Sequence, residues 1–223
     1  MLAFPKAVLF DLDGTLLDSA PDFVATLALM AGRLGLPAAT DAVVRPVVSK
    51  GSRAMLGAAF PQLSAAQREA LVPDFLDTYQ GLIGRHARLF DGVAAMLDAL
   101  DQAGTVWGIV TNKPEYLARL ILPQHNWQQR CAVLVGGDSL AHKKPHPLPL
   151  LHAAAAIEMA AADCVYVGDD ERDIQAALAA GMPSVAALWG YRLEDDNPQQ
   201  WGADVLHATA APLNAPAAWP QMN

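Results

Sequence analysis

The sequence predicts an α/β protein: a doubly wound parallel sheet with a small helical block inserted after its first strand. Three observations carry this. Val8-Leu9-Phe10 is an unbroken apolar run that stops at Asp11-Leu12-Asp13-Gly14, as a strand buried on both faces would. Beyond Asp91, short apolar runs alternate with helical periodicity across short loops, the pattern of parallel strands joined by crossover helices. Between the two lies a stretch, from about 17 to 86, in which nothing alternates as a strand does.

The first helix is predicted at Ser19-Ala20-Pro21-Asp22, with Ser19 as cap, Pro21 in the tolerant first turn and Asp22 three residues after the cap. Phe23, Leu27, Met30, Ala31 and Leu34 recur at helical spacing, and Gly35 ends the run. Helical patterning returns over 41–48, 52–60 and 65–83. An all-helical block in this place is an insertion, not a crossover, so the division is 1–16 with 87–223 as core and 17–86 as inserted block. In the core, Val93, Met96, Leu97 and Leu100 mark a helix closed by Gly104, followed by a strand at 106–110. Helices at 114–122, 147–159 and 174–180 then alternate with strands at 132–135, 164–167 and 184–188. The tail from Ala208, rich in Ala and Pro, is expected to dock one last segment and then fray.

Composition narrows the classes of function. With 53% hydrophobic and 17% charged residues among 223, a sizeable core is available and global disorder is excluded. A net charge of -8 argues against a nucleic-acid partner, which needs Lys and Arg on phosphates, but leaves room for a small anion at a local positive site. Cys131 and Cys164 stand far apart among apolar neighbours and read as reduced core residues. No apolar run approaches the roughly 18 residues of a membrane span, and the start runs into the first strand without a signal-peptide layout, so a cytoplasmic location is expected.

The chemistry gathers at strand ends. Asp11 and Asp13 follow the first strand, and Gly14 permits a sharp turn; the competing reading is a β-hairpin with Thr15-Leu16-Leu17 returning. An EF-hand loop fits worse, because Gly14 is fourth from Asp11 rather than sixth. The strand at 106–110 ends in Thr111-Asn112, an anion site before a helix or an ordinary helix cap. The strand at 164–167 ends in Gly168-Asp169-Asp170-Glu171-Arg172-Asp173, which alone could be a solvated acidic loop. Lys143-Lys144-Pro145-His146-Pro147 alone could be a stiff linker. His142, His146 and His152 lack zinc-site spacing and are expected to face solvent. In a parallel sheet these ends share one edge, where ligands bind. Asp11, Asp13, Asp169 and Asp173 would then meet, and carboxylates so crowded call for a cation. All-oxygen ligands with a phosphate suit Mg2+. With Thr111 and a lysine as phosphate contacts, the set describes phosphoryl transfer.

This ordered combination, Asp-x-Asp-Gly-Thr, a strand ending in Thr, Lys-Pro, then Gly-Asp-Asp with a further Asp, resembles the haloacid dehalogenase superfamily over Phe10 to Asp173. The inserted block resembles the helical cap of one of its subfamilies, over a Rossmann-like core. Phe10-Asp11-Leu12-Asp13-Gly14-Thr15-Leu16, Val110-Thr111-Asn112-Lys113 and Lys144-Pro145-x-Pro147-x-Pro149 resemble the phosphoglycolate phosphatases. Arg53-Ala54-Met55, 107–114, and Asp196-Asn197-Pro198 with Trp201-Gly202-Ala203-Asp204 are also similar to bacterial N-acetylmuramic acid 6-phosphate phosphatases.

The resemblance implies roles. Asp11 would be nucleophile and Mg2+ ligand. Asp13 would be general acid and base, with its backbone carbonyl on the metal. Thr111 would bind the transferring phosphoryl group with Asn112 beside it, and Lys144 would steady the nucleophile's charge. Asp169 would ligate Mg2+ and Asp173 would support that loop. Asp170 stands where relatives often carry Ser, so its part in metal binding stays open. The loop Ser49-Lys50-Gly51-Ser52-Arg53 reads alone as a solvated interhelical turn. Under a cap it would cover the leaving group, which makes Lys50 and Arg53 candidates for recognising substrate. The expected partner is a small phosphorylated metabolite, on a monomer or weak homodimer, with no nucleic acid and no membrane. Rival readings are a phosphomutase resembling β-phosphoglucomutase and a phospho-receiver switch domain; the first-strand Asp11 and the inserted block argue against the receiver.

Overall fold

A computed structural model describes residues 3–221. Its first strand, β1 (Ala7–Phe10), is buried at every position, as an apolar run covered on both faces must be. Counting in chain order, β2 (Leu17–Asp18) and β3 (Arg88–Leu89) are short, and β4 (Val106–Val110), β5 (Cys131–Val135), β6 (Cys164–Gly168), β7 (Ser184–Ala187) and β8 (Val205–His207) complete the set. Six of these form one sheet in the order β5-β4-β1-β6-β7-β8, and every neighbouring pair is parallel. The expected fold class is therefore present. Phe10 lies level with Ile109 of β4 and Val167 of β6, so Asp11, Thr111 and Asp169 leave the sheet at the same edge.

Successive side chains in a strand point to opposite faces, and the two faces carry different helices. Val8, Phe10, Trp107, Ile109, Val165 and Val167 pack on one side with Val93, Met96, Leu97 and Leu100 of α6 (Val93–Ala103). On the other, Ala7, Leu9, Val110, Cys164 and Tyr166 meet α8 (Leu148–Ala156) and α9 (Glu171–Ala180) through Leu150, Ala153, Ala176 and Ala177. The tail docks as expected: Trp219 is buried, and its indole N–H donates to the Leu213 carbonyl at 3.0 Å. Burying so large a ring is worth about 1.5–3 kcal/mol, enough to hold a segment whose regular structure is two short 3-10 turns, Ala211–Asn214 and Pro216–Ala218. Residues 222–223, where fraying was expected, lie outside the described residues. Among the described residues, Cys131 and Cys164 are free, and His142, His146 and His152 are exposed.

Between β2 and β3 stand α1 (Ala20–Leu34), α2 (Asp41–Val44), α3 (Ser52–Ala59), α4 (Ala65–Ala70) and α5 (Val72–Gln80). They enclose their own apolar cluster, with Phe23, Leu27, Met30, Leu56, Phe60, Phe75 and Tyr79. The block leaves and rejoins the core through β2 and β3, which pair antiparallel, Leu17 against Leu89. β2 thus pairs with the returning segment and not with β1, so the hairpin alternative is not what forms.

Three local readings are corrected. Ser19 does not cap α1: its backbone is already helical, at φ -93° and ψ -4°, and its hydroxyl makes no cap bond. Asp22 instead turns toward the rejoining chain and accepts from the N–H groups of Gly84, His86 and Ala87 at 2.6, 2.7 and 3.2 Å. The single helix expected over 65–83 is two, because Pro73 sits in the first turn of α5, where its missing N–H costs no bond. The last core helix starts at Glu171, not Ile174, because Asp170 and Asp173 form a capping box ahead of it.

Candidate active site

The site is built on the first residues beyond β1, β4 and β6. Asp11 stands at the end of β1, its N–H donating to the Val167 carbonyl at 2.9 Å. Its Oδ1 is 3.1 Å from Nζ of Lys144, which also lies 2.7 Å from Oδ1 of Asp173 and donates to the Tyr166 hydroxyl at 2.7 Å. The Tyr166 hydroxyl in turn donates to the Val110 carbonyl at 2.7 Å. The ammonium is buried among these two carboxylates and the hydroxyl. Burial works to lower its pKa, but Asp11 and Asp173 outweigh that and hold it above the ordinary lysine value. Lys143, the neighbour, is exposed.

Asp169 is fully buried. Its Oδ1 accepts from Thr15 Oγ1 at 3.1 Å, and its Oδ2 accepts from Ser49 Oγ at 2.7 Å and the Tyr191 N–H at 2.9 Å. Burial, followed by the charges of Asp11 and Asp173, pushes its carboxyl well above the usual range. Asp173 is pushed up too, first by burial. Its second oxygen accepts from the Asp170 N–H at 3.0 Å, so both its oxygens are engaged within the protein. Oxygens of Asp11, Asp169 and Asp173 all lie within 4.8 Å of one another. Three carboxylates against one ammonium leave surplus negative charge in a dry place, and an all-oxygen donor set selects a hard cation. The backbone leaves room for this: Gly14, at φ +90°, has no Cβ, and one built there would fall 2.1 Å from Asp169 Oδ2. These residues fit a small divalent ion.

The side chain of Asp13 stands apart from that cluster. Both its oxygens face Nζ of Lys113, at 2.9 and 3.1 Å. Thr111 is buried, its Oγ1 accepting from the Lys113 N–H at 3.3 Å. Asn112 donates to the Lys144 carbonyl at 3.0 Å, tying two of the strand-end segments together. Asp170 caps α9 and is gripped by Arg172 Nε at 2.7 Å and Lys50 Nζ at 2.9 Å. Burial raises its carboxyl, and these cations overcome the effect and set it below the ordinary value.

A cavity of about 380 Å³ separates this floor from the helical block. Asp11, Asp13, Thr111 and Lys113 line it below; Phe23, Met55, Phe75, Leu76 and Tyr79 line it above, and the loop 49–53 closes one side. Lys50 points to Asp170, with Asp196 at 3.5 Å, while the Arg53 guanidinium pairs with Glu69 of α4 at 2.5 Å and stays 67% exposed. Sequence reasoning gave no part to Ser49 on Asp169, to Arg172 on the Ser49 carbonyl, or to Lys113 and Tyr79. Arg172 lay inside the acidic motif and Lys113 beside Thr111, so proximity was a usable signal; Ser49 and Tyr79 carry none.

A buried carboxylate beside a buried lysine, at the carboxyl edge of a parallel sheet and under a lined cavity, defines an enzyme that works on a small anionic substrate. The comparisons specify the class. Residues 8–187 match the family described as haloacid dehalogenase-like hydrolase. A protein of Xanthomonas campestris pv. campestris named phosphoglycolate phosphatase is 70% identical over 220 residues, 99% of this chain and all of the relative. One of Pseudomonas putida named N-acetylmuramic acid 6-phosphate phosphatase is 43% identical over 202 residues, 90% of this chain and 91% of the relative. A crystal structure described as a predicted phosphoglycolate phosphatase from Haemophilus somnus superposes with a TM-score of 0.82 at 28% identity, covering 92% of this chain and 95% of that one. The chain belongs to the haloacid dehalogenase-like hydrolases, and within them it is a phosphatase. Among the described residues, no helix is long and apolar enough to cross a membrane.

Proposed function

We propose that the protein hydrolyses small phosphomonoesters bearing an acid group, 2-phosphoglycolate first among them, with Asp11 as nucleophile, Mg2+ as cofactor and residues 17–86 as a cap over the leaving group. The observation that carries the chemistry is the placement of Asp11, at a strand end with Lys144 on one oxygen and Asp169 beside it. The 70% identical relative named phosphoglycolate phosphatase supports the choice of substrate.

In this reading Lys144 offsets the repulsion between an anionic nucleophile and an anionic phosphate, and Thr111 with the N–H groups around it holds the phosphoryl oxygens. Asp11 attacks phosphorus in line; Asp13 gives its proton to the leaving oxygen as that bond breaks. Asp13 then takes a proton from water, whose oxygen displaces Asp11 and releases phosphate. Asp11, Asp169 and the Asp13 carbonyl would hold Mg2+, which supplies charge neutralisation on the phosphoryl oxygens. Asp173 keeps Lys144 in place, and the cap excludes bulk water.

A second reading, N-acetylmuramic acid 6-phosphate, draws support from the cavity: about 380 Å³ with an apolar roof suits a ring better than a two-carbon acid. The test is phosphate release over a panel holding both compounds and several hexose phosphates. A kcat/KM for 2-phosphoglycolate well above the rest would sustain the first reading, and preference for the amino sugar the second. An isomerised sugar phosphate without released phosphate would reveal a mutase.

A further inference from the structure

The cation nearest the proposed acid and base has no part in that scheme. Lys113 follows Thr111-Asn112 out of β4, and its side chain is 3% exposed. Its ammonium faces both oxygens of Asp13, at 2.9 and 3.1 Å, and donates to the Tyr79 hydroxyl at 2.7 Å. It also lies over two rings, 4.3 Å from the centroid of Tyr79 and 4.9 Å from that of Phe23. Those rings are stacked on each other at 4.2 Å. Asp13 and Lys113 belong to the core, whereas Phe23 is on α1 and Tyr79 on α5 of the helical block. The ammonium is thus held half by one layer and half by the other.

We infer that Lys113 is a positioning residue that fixes the Asp13 carboxylate, and that it does so fully only while the helical block is docked on the core. The inference rests on the reading of Asp13 as acid and base. A carboxylate on one single bond turns freely, and two contacts to one ammonium fix its plane. A buried ammonium is tolerated here because a carboxylate, a hydroxyl and two ring faces replace its water. Lifting the block removes the hydroxyl and both rings, floods the pair with water and loosens it. Closure and orientation of the acid are thereby one event. Lys113 keeps its protons throughout: the proton given to the leaving oxygen comes from Asp13, and the proton from water returns there.

The test uses the full-length protein with p-nitrophenyl phosphate, whose leaving group departs without needing a proton. Phosphorylation of Asp11 then depends little on Asp13, while hydrolysis of the aspartyl phosphate still needs it. Lys113→Met is expected to release a burst of about one p-nitrophenolate per active site, then turn over more slowly than wild type. The loss in kcat should lie within the ~10²–10⁴ that general acid–base catalysis is worth, with KM falling alongside it, so that kcat/KM changes little. Tyr79→Phe keeps the ion pair and loses only the hydroxyl. It should show a smaller loss of the same kind, with no further loss in the Lys113→Met background, and Lys113→Arg should recover part of the rate.

A raised KM with kcat intact would make Lys113 a substrate contact and overturn the inference. So would a lower kcat without a burst, or additive losses in the double variant. Were Lys113→Met to fail to fold, an unchanged kcat in Tyr79→Phe would by itself overturn the coupling to the block. The underlying reading fails separately, if Asp11→Asn retains turnover.

Discussion

Replacing Gly14 by Ala tests the arrangement of the carboxylates more sharply than removing any one of them. Gly14 has φ +90°, and a Cβ there would lie 2.1 Å from Asp169 Oδ2 and 2.5 Å from its Cγ. Ordinary contact begins near 3.4 Å, so the carboxylate must retreat by about 1.3 Å. It has nowhere easy to go. Thr15, Ser49 and the Tyr191 N–H hold its oxygens, and Gly190 presses from behind, where a Cβ would come within 2.3 Å of Asp169 Cβ. A misplacement of about 1 Å in a catalytic group costs on the order of 10²-fold in rate. A left-handed backbone costs an L-residue a further 1–2 kcal/mol or so, or roughly 2–8 °C in Tm at this length. Gly35 provides the control: its φ is +66°, and nothing lies within 4 Å of its missing Cβ. Gly35→Ala should lose only that backbone cost and keep its kcat, whereas Gly14→Ala adds the cost of the clash. Gly14→Ala should lose about 10²-fold in kcat and need more Mg2+ for half-maximal activity. The assay is phosphate release against Mg2+ concentration, with thermal melts of both variants. Equal kcat in the two would refute the crowding of Asp169 as the reason for glycine at 14.

Asp11→Asn should fold, by its unchanged melt, and release no phosphate, because an amide at 11 offers no nucleophilic oxygen; near-normal turnover would remove Asp11 from the chemistry. Chelator should stop activity and excess Mg2+ restore it, while Ca2+, with its looser coordination, should support it poorly; full activity in a verified metal-free preparation would count against the cofactor. Arg53→Ala should lower kcat/KM for 2-phosphoglycolate and leave p-nitrophenyl phosphate, which has no carboxylate, unchanged; parallel losses would assign Arg53 to the phosphate or to the fold of the loop. Lys50→Ala should lower kcat on both substrates, since its 2.9 Å contact to Asp170 holds the loop against the core; an effect confined to acid-bearing substrates would make it a recognition residue instead.

The core was legible because its physics is local. An apolar run followed by Asp11, Thr111 or Asp169 announces a buried strand and its polar end within a few residues, and parallel topology brings those ends together. Where a second segment decides, the sequence is silent. Ser19 and Asp22 read as a capping box, yet Asp22 is taken by Gly84, His86 and Ala87, more than sixty positions on. β8 escaped notice because three residues are too few to show a period, although Asp204 just before it accepts from the Ser184 N–H at 2.8 Å.

The same distinction explains why the loop 49–53 could be singled out but not understood. Its composition shows a Gly, hydroxyls and cations between helices. Its placement depends on Asp169, Asp170 and Arg172, more than a hundred residues away. Ser49 gives its hydroxyl to Asp169 and its carbonyl to Arg172, and Lys50 gives its charge to Asp170. Three positions of the acidic motif, 169, 170 and 172, thus hold the loop down on the core. Asp170 is the acid that Lys50 needs: with a neutral residue there, a lysine only 26% exposed would lose its nearest countercharge. Asp170 thus has its place in the contact between layers, with one oxygen toward Lys50 and the other toward Arg172.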